Sequence, residues 1–368
     1  MDAAAVFERT ELGRLVAILA ADGYRVIGPT RRGTAIVYGD IAGDADFAIG
    51  LIDEQEGGTY RLREVDDPRV FNATAGQTSC RQYLFAPRQR LWSAERTGTG
   101  FRLAEDSAGA EPPLAFIGVR ACDLAAVGVQ DRVFGGHYPD PRYMMRRRRA
   151  LIVAVACARA GNTCFCASMG GGPEVGPGHD LALTELVDGG RHVFVAETGS
   201  ERGALLLARL DPRPATGAEI AAARAQTEAV KGRMGREMVA GGPEAIRANP
   251  EHPRWHEVAG RCLTCTNCTL VCPTCFCSTA EDVADLGNAR TERWQRWDSC
   301  FTLDFSYIHG GSVRKTAASR YRQWITHKLS TWWDQFGMSG CVGCGRCIAW
   351  CPVGIDITEE ARAIRDSQ

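Results

Sequence analysis

Two runs of cysteine carry the chemistry of this chain: Cys262-x-x-Cys265-x-x-Cys268-x-x-x-Cys272-Pro273 and Cys341-x-x-Cys344-x-x-Cys347-x-x-x-Cys351-Pro352. Three thiols at three-residue intervals wrap a tight loop, so that their sulfurs converge on three corners of one iron-sulfur cube. The fourth, a helical turn further on, points away and ligates the partner cage. The spacing predicts one 4Fe-4S cluster on Cys262, Cys265, Cys268 and Cys351, and a second on Cys341, Cys344, Cys347 and Cys272. Proline after the fourth cysteine directs the chain away from the cage. CxxC pairs also build four-thiolate zinc sites, so the alternative from another class is a zinc-stabilised interaction module without redox activity. A third equally spaced cysteine, and a fourth followed by proline, go beyond what zinc needs. Two adjacent cages, with no nucleophile, base or substrate pocket in the motifs, suit the movement of single electrons; no catalytic residue is expected in this chain.

The sixteen cysteines are unevenly spread, six of them between Cys262 and Cys277 and four between Cys341 and Cys351. Thr163-Cys164-Phe165-Cys166-Ala167-Ser168 and Thr274-Cys275-Phe276-Cys277-Ser278-Thr279 are near copies. Residues two apart in an extended chain point to the same side, so each pair can offer two thiolates together. Cys122 starts a predicted helix after one strand and Cys157 ends the next, which places both at the carboxyl edge of a parallel sheet, where ligands bind. The helix N-terminus would lower the Cys122 thiol pKa and favour an anionic cage. With Cys164 and Cys166 these make a four-thiolate constellation able to hold a third cluster; the competing reading is four small buried hydrophobes. Cys275, Cys277 and Cys300 read as thiols packed around the cluster ligands, and Cys80 as core.

The remaining features bound the function by exclusion. The 368 residues suffice for two or three domains. The start, Met1-Asp2-Ala3-Ala4-Ala5-Val6-Phe7-Glu8, has neither the basic nor the apolar region of a secretory leader, so a disulfide framework explains the cysteines poorly. No apolar run approaches the roughly 18 to 20 residues of a membrane span, and a soluble, cytoplasmic protein is expected. Lys plus Arg (43) balances Asp plus Glu (44), which leaves no basic field for nucleic acid. Arg146-Arg147-Arg148-Arg149 reads as a solvated face, the histidines lack metal-ligand spacing, and Gly170 to Gly178 reads as a flexible loop. There is no dinucleotide fingerprint, so a nicotinamide or flavin in this system belongs to another polypeptide.

Periodicity gives the elements that position the thiols. Leu12 to Ala20 is helical, and Tyr24 to Ile27, Thr34 to Tyr38, Asp46 to Ile52 and Thr59 to Val65 read as strands of a mostly antiparallel sheet. Leu114 to Val119, the helix from Asp123 to Phe134, and Leu151 to Ala156 form a parallel βαβ unit. A hairpin follows at Leu181 to Val187 and His192 to Ala196, then a polar helix from Ala218 to Met238 and a linker near residues 240 to 258. The expected fold is α+β: an N-terminal α/β domain with a mixed sheet (1–245), which carries the candidate third-cluster thiols, then a mainly helical, ferredoxin-like dicluster domain (246–368). The 68 residues between Cys272 and Cys341 exceed what a compact ferredoxin uses and read as an insertion.

The motifs resemble a known family. Cys262 through Cys277, Trp297-Asp-Ser-Cys-Phe301, Tyr307-Ile-His-Gly-Gly311 and Cys341 through Asp356 look like the iron-sulfur beta subunit of cytoplasmic NAD(P)-linked nickel-iron hydrogenases, or sulfhydrogenases. Arg120-Ala-Cys-Asp-Leu-Ala-Ala126 and Cys164-Phe-Cys-Ala-Ser-Met-Gly-Gly-Gly-Pro173 extend the likeness into the N-terminal half. The electron-transfer subunit of anaerobic sulfite reductase is similar in the same motifs. The resemblance implies an electron-transfer subunit between hydrogenase large and small subunits and a flavin subunit that binds NAD(P). The alternative partner set is that of the sulfite reductase.

Overall fold

The computed structural model describes residues 4–105, 111–287 and 289–367; the first three residues, on which the reading of the amino terminus partly rests, lie outside them. Its centre is an eight-stranded mixed sheet. The strands Arg25–Arg32, Leu114–Arg120, Leu151–Val155 and Leu181–Asp188 run parallel to their neighbours. Ala35–Asp40 flanks them on one side, and Arg191–Thr198, Ala5–Glu8 and the short Arg213–Pro214 on the other, all antiparallel. Leu114–Arg120 and Leu151–Val155 are buried along their whole length, as near-continuous apolar strands covered on both faces must be. The helix Glu11–Ala21 buries Leu12, Leu15, Val16 and Leu19 on one stripe against the sheet core around Phe71 and Phe194.

The βαβ unit forms as expected, with the helix Ala121–Phe134 between its parallel strands. A bulge at Gly118 shifts the strand register between Ile117 and Val119. Gly118 has φ +77°, and a Cβ there would lie 2.6 Å from the Phe71 ring, so both the backbone and the packing require glycine. The strand end beyond it delivers Arg120 and then Cys122 to the sheet's carboxyl edge.

Three of the expected elements change. The segment Asp46 to Ile52 is not one strand: a 3-10 turn at Asp44–Asp46 precedes the strand Leu51–Glu56, which pairs with Thr59–Glu64 in a separate hairpin. That hairpin props the second cysteine motif, because Gly58 N–H donates to Ile348 O at 3.1 Å and Tyr60 stacks on Trp350. The polar helix is shorter, Gly217–Lys231, and the chain beyond it runs over the thiol loop, where Arg236 N–H donates to Cys164 O at 3.0 Å. The supposed linker near 240 to 258 consists of helices Gly242–Ala248 and Arg254–Arg261. Their Ile246, Trp255 and Val258 are buried in the core around the cysteine motifs. Short helices with one or two core residues each give little periodic signal, which is why the segment reads as linker.

The fold is α+β, and its two halves are interleaved. Strands Arg88–Thr97 and Gly100–Glu105 share a four-stranded sheet with Ser278–Ala284 and Arg290–Trp297, from the insertion between the two motifs. The insertion continues through helix Ala317–Thr326, a wider π turn at His327–Thr331 and helix Trp332–Phe336. The arginine run lies on helix Pro141–Arg149, where Arg146 donates to Gln89 and Arg147 pairs with Asp131, so these two join the packing while Arg148 stays exposed. Among the described residues, no helix is long and apolar enough to cross a membrane.

Candidate metal centre

Both motif loops use the same backbone device. In the first, Thr264 and Thr266 have positive φ (49° and 69°); in the second, the equivalent Gly343 and Gly345 do (68° and 74°). These left-handed residues turn the chain on either side of the middle cysteine. Glycine in the second loop has a further cause. A Cβ on Gly343 would lie 2.6 Å from the Cys166 backbone, and one on Gly345 would lie 2.2 Å from Thr163 O. The second loop is packed flat against the segment bearing Cys164 and Cys166, fastened by Phe165 N–H to Gly343 O at 2.8 Å. Amide groups point at the sulfurs: Thr264 N–H reaches Cys262 Sγ at 3.4 Å and Ile355 N–H reaches Cys351 Sγ at 3.3 Å.

The thiols cross over between motifs. Cys262, Cys265, Cys268 and Cys351 line one cavity, together with Phe301, Tyr321 and Trp324. Cys272 does not line that cavity and lies close enough to Cys341, Cys344 and Cys347 to raise the pKa of each, and of Cys268 as well. The spacing expects one cluster on each of these sets. Cys347 also lines the first cavity and faces Cys268, so the two groups adjoin.

The walls of the first cavity suit an iron-sulfur cage. Tyr321 Oη and Trp324 Nε1 are buried with no hydrogen-bond partner in the protein, and both side chains line this cavity. Such orphan donors are costly unless an acceptor fills the space between them, and sulfide and thiolate sulfur supply one. Among the described residues, no three His, Cys, Asp or Glu converge to hold a single metal ion. The thiols stand around a space, an arrangement suited to a cage of several atoms.

Cys122, Cys157, Cys164 and Cys166, which belong to distant parts of the sequence, line a second cavity with Arg120 and Arg159. Cys344 of the second motif lines it too. A member of the second group thus stands in the wall of each flanking cavity, Cys347 on one side and Cys344 on the other. One expectation fails here: the helix N-terminus does not lower the Cys122 thiol. Burial, then the neighbouring Asp123 charge, pushes it well above its ordinary value. Burial likewise pushes Cys164 and Cys341 up to about 12. Metal would bind these thiols as thiolates, so loading the sites would release their protons to solvent.

Cys272 departs from this pattern. It is held well below the ordinary thiol value by a hydrogen bond from Cys275 and by the Lys328 charge, which together outweigh its burial. Cys277 and Cys300 are in contact, next to this group. Arg81, 3% exposed, stacks 3.5 Å over Trp297 and donates through Nη1 to the carbonyls of Thr269, Leu270 and Cys272. Cys80 is core, as expected. Sequence reading misses Arg81, Tyr321, Trp324 and Lys328, because nothing in their local spacing marks them. Only the rarity of lysine singles one out: Lys231, Lys315 and Lys328 are the three lysines among 43 basic side chains.

Comparison with known proteins agrees with this geometry. Residues 261–355 match the family model of a 4Fe-4S dicluster domain. Sulfhydrogenase 2 subunit beta of Pyrococcus furiosus is 27% identical over 323 residues, which cover 84% of this chain and 90% of that protein. No solved structure matches the chain. Paired cysteine motifs, crossed thiol groups and both likenesses converge: the chain carries a 4Fe-4S dicluster domain and, over most of its length, is a relative of a sulfhydrogenase beta subunit.

Proposed function

We propose that this chain is the electron-transfer subunit of a soluble, cytoplasmic hydrogenase complex, relaying electrons between a nickel-iron hydrogenase module and a flavin module that binds NAD(P). The observation that carries the reading is the crossed grouping of eight thiols, with Cys268 and Cys347 side by side where the two groups meet. Cys262, Cys265, Cys268 and Cys351 would hold one 4Fe-4S cluster, and Cys341, Cys344, Cys347 and Cys272 the other. Bound clusters of this type supply reversible one-electron chemistry. The protein's own part is to hold the thiolates, to wall the first site with Phe301, Tyr321 and Trp324, and to aim amide N–H groups at ligand sulfur.

Cys122, Cys157, Cys164 and Cys166 would hold a third cluster beside Cys344. The chain then divides by role rather than by independent folding: 1–245 brings the third site, and 246–368 the helical, ferredoxin-like dicluster part. The likeness to a hydrogenase beta subunit supports this partner set.

The test is anaerobic isolation of the native complex with iron, nickel, labile sulfide and co-purifying subunits counted. A flavoprotein and a nickel-containing large subunit are expected. A siroheme protein in their place would assign the chain to a sulfite reductase, and colourless protein with zinc and no labile sulfide would overturn the electron-transfer reading altogether.

A further inference from the structure

Lys231 and Lys315 are exposed, whereas Lys328 is 6% exposed and packed beside the cysteine motifs. Its Nζ donates to Cys272 Sγ at 3.2 Å, Thr274 Oγ1 at 2.9 Å and Gly340 O at 3.1 Å, which uses all three of its hydrogens. Among the described residues no carboxylate pairs with it; the nearest groups able to carry negative charge are the thiols of Cys272, Cys275 and Cys341. A buried ammonium is expensive without an anion, so the fold reserves this place for a negatively charged neighbour. Lys328 sits on the π turn His327–Thr331, which interrupts an otherwise helical run, a feature often found where a side chain must be re-aimed at a functional site.

Among the described residues, the group of Cys262, Cys265, Cys268 and Cys351 has no such contact. The hydrogen bonds to its sulfurs come from neutral backbone groups, Thr264 N–H and Ile355 N–H. Its neighbouring cation, Arg320, spends Nη1 on the carbonyls of Arg314 and Lys315. The second group thus has an ammonium in direct contact with a ligand sulfur, whereas the first faces the unpartnered donors Tyr321 Oη and Trp324 Nε1.

We propose that Lys328 is a positioning residue that sets the reduction potential of the second-motif cluster, raising it by donating to Cys272 Sγ. The inference rests on the reading of the chain as a carrier of two 4Fe-4S clusters. One-electron reduction makes a thiolate-bound cage one unit more negative and transfers no proton to Lys328. A fixed positive charge and a hydrogen bond at a ligand sulfur therefore favour the reduced form over the oxidised one and raise the potential. Lysine suits the place better than arginine, because a compact ammonium can meet a sulfur, a hydroxyl and a carbonyl at once.

The test uses the native complex, redox-titrated anaerobically by electron paramagnetic resonance. Lys328→Met removes charge and donor, and Lys328→Gln removes the charge but keeps a donor. In both, one reduction step of this chain should move to lower potential, further in Lys328→Met, while the other stays in place. In the parental complex labelled with 15N-lysine, pulsed resonance of the reduced protein should show a lysine nitrogen coupled to one of the two dicluster signals and not to the other. That readout requires no variant to fold. Variants that keep their iron with both steps unmoved, or a labelled complex with no such coupling, would overturn the role of Lys328 and leave the electron-carrier reading standing. A parental complex in which this chain holds no labile sulfide would overturn both.

Discussion

Asp123 grips Arg346 with both carboxylate oxygens, at 2.8 and 2.9 Å, where both side chains are shut off from solvent. Asp123 follows Cys122 on the helix of the N-terminal βαβ unit, and Arg346 lies two residues beyond Cys344. The ion pair thus ties the candidate third-cluster edge to the second motif loop. Arg346 also donates to Gly76 O at 2.7 Å and Thr78 O at 3.0 Å, and Tyr38 Oη donates to Asp123 at 3.2 Å. The pair is thereby hydrogen-bonded on both sides, the condition under which a buried ion pair is tolerated.

Removing one partner strands the other. Asp123→Ala or Arg346→Met should each cost about 3 to 5 kcal/mol. Asp123→Leu combined with Arg346→Met should cost much less than the sum of the single changes. Anaerobic guanidinium unfolding followed by tryptophan fluorescence measures this. Single variants within about 1 kcal/mol of the parent would mean the halves are held together by apolar packing alone.

Much of this was legible in the sequence, and the reasons differ by site. The dicluster domain was readable because the motif spacing is local, with three cysteines within one loop and a fourth a helical turn further on. The group of Cys122, Cys157, Cys164 and Cys166 was readable only through topology, since parallel strands ending at one edge bring their following residues together. Asp123, Arg346, Tyr321, Trp324 and Lys328 were not readable, because each acts through a partner far away in sequence. The Leu51–Glu56 hairpin was misplaced for a related reason. Phe47 and Ala48 are buried by a turn rather than a strand, and burial alone sets no period.

The crossed ligand assignment predicts which variants share a phenotype. Cys272→Ala should abolish the same reduced-cluster resonance as Cys341→Ala, although Cys272 belongs to the other motif. Cys351→Ala should pair in the same way with Cys262→Ala. Anaerobic electron paramagnetic resonance of the four variants decides it. If Cys272→Ala instead removed the signal that Cys262→Ala removes, each motif would hold its own cage.

Glu219 gives a pH dependence unconnected with the clusters. Its carboxylate takes hydrogen bonds from Arg213 at 2.5 and 3.0 Å, from Arg191 at 2.5 Å, and from Thr216 N–H and Oγ1 at 2.9 Å in a capping box. The Arg213 contact first, then the Thr216 amide, hold its pKa well below the usual carboxylate range. A depressed folded-state pKa contributes stability above the unfolded value, near 4.3, and loses it as pH falls below that value. Glu219→Gln should therefore cost about 1 kcal/mol at pH 7, the scale of a lost cap with solvent-screened arginines. The gap should persist to about pH 5 and narrow steadily in more acid solution. Parallel urea titrations of parent and variant measure it, and a gap that widens toward acid would contradict this sign.

The third site yields the sharpest count. Two cubanes bring about eight irons and three bring about twelve, with equal labile sulfide. The anaerobically prepared chain should hold about twelve, and Cys164→Ala with Cys166→Ala should bring it to about eight while leaving the two dicluster resonances in place. The double change removes two of four thiols from one cavity but disturbs the second motif little, since the Phe165 N–H to Gly343 O contact is made by backbone. A parent with about eight irons would instead make Cys122, Cys157, Cys164 and Cys166 buried structural thiols. Arg120 and Arg159 would then line a cavity holding no anion, although Arg120 keeps its carbonyl partners Phe71 and Ala73, and Arg159 keeps Asp53. Both arginines are satisfied without a cluster, so the iron count decides between the two outcomes.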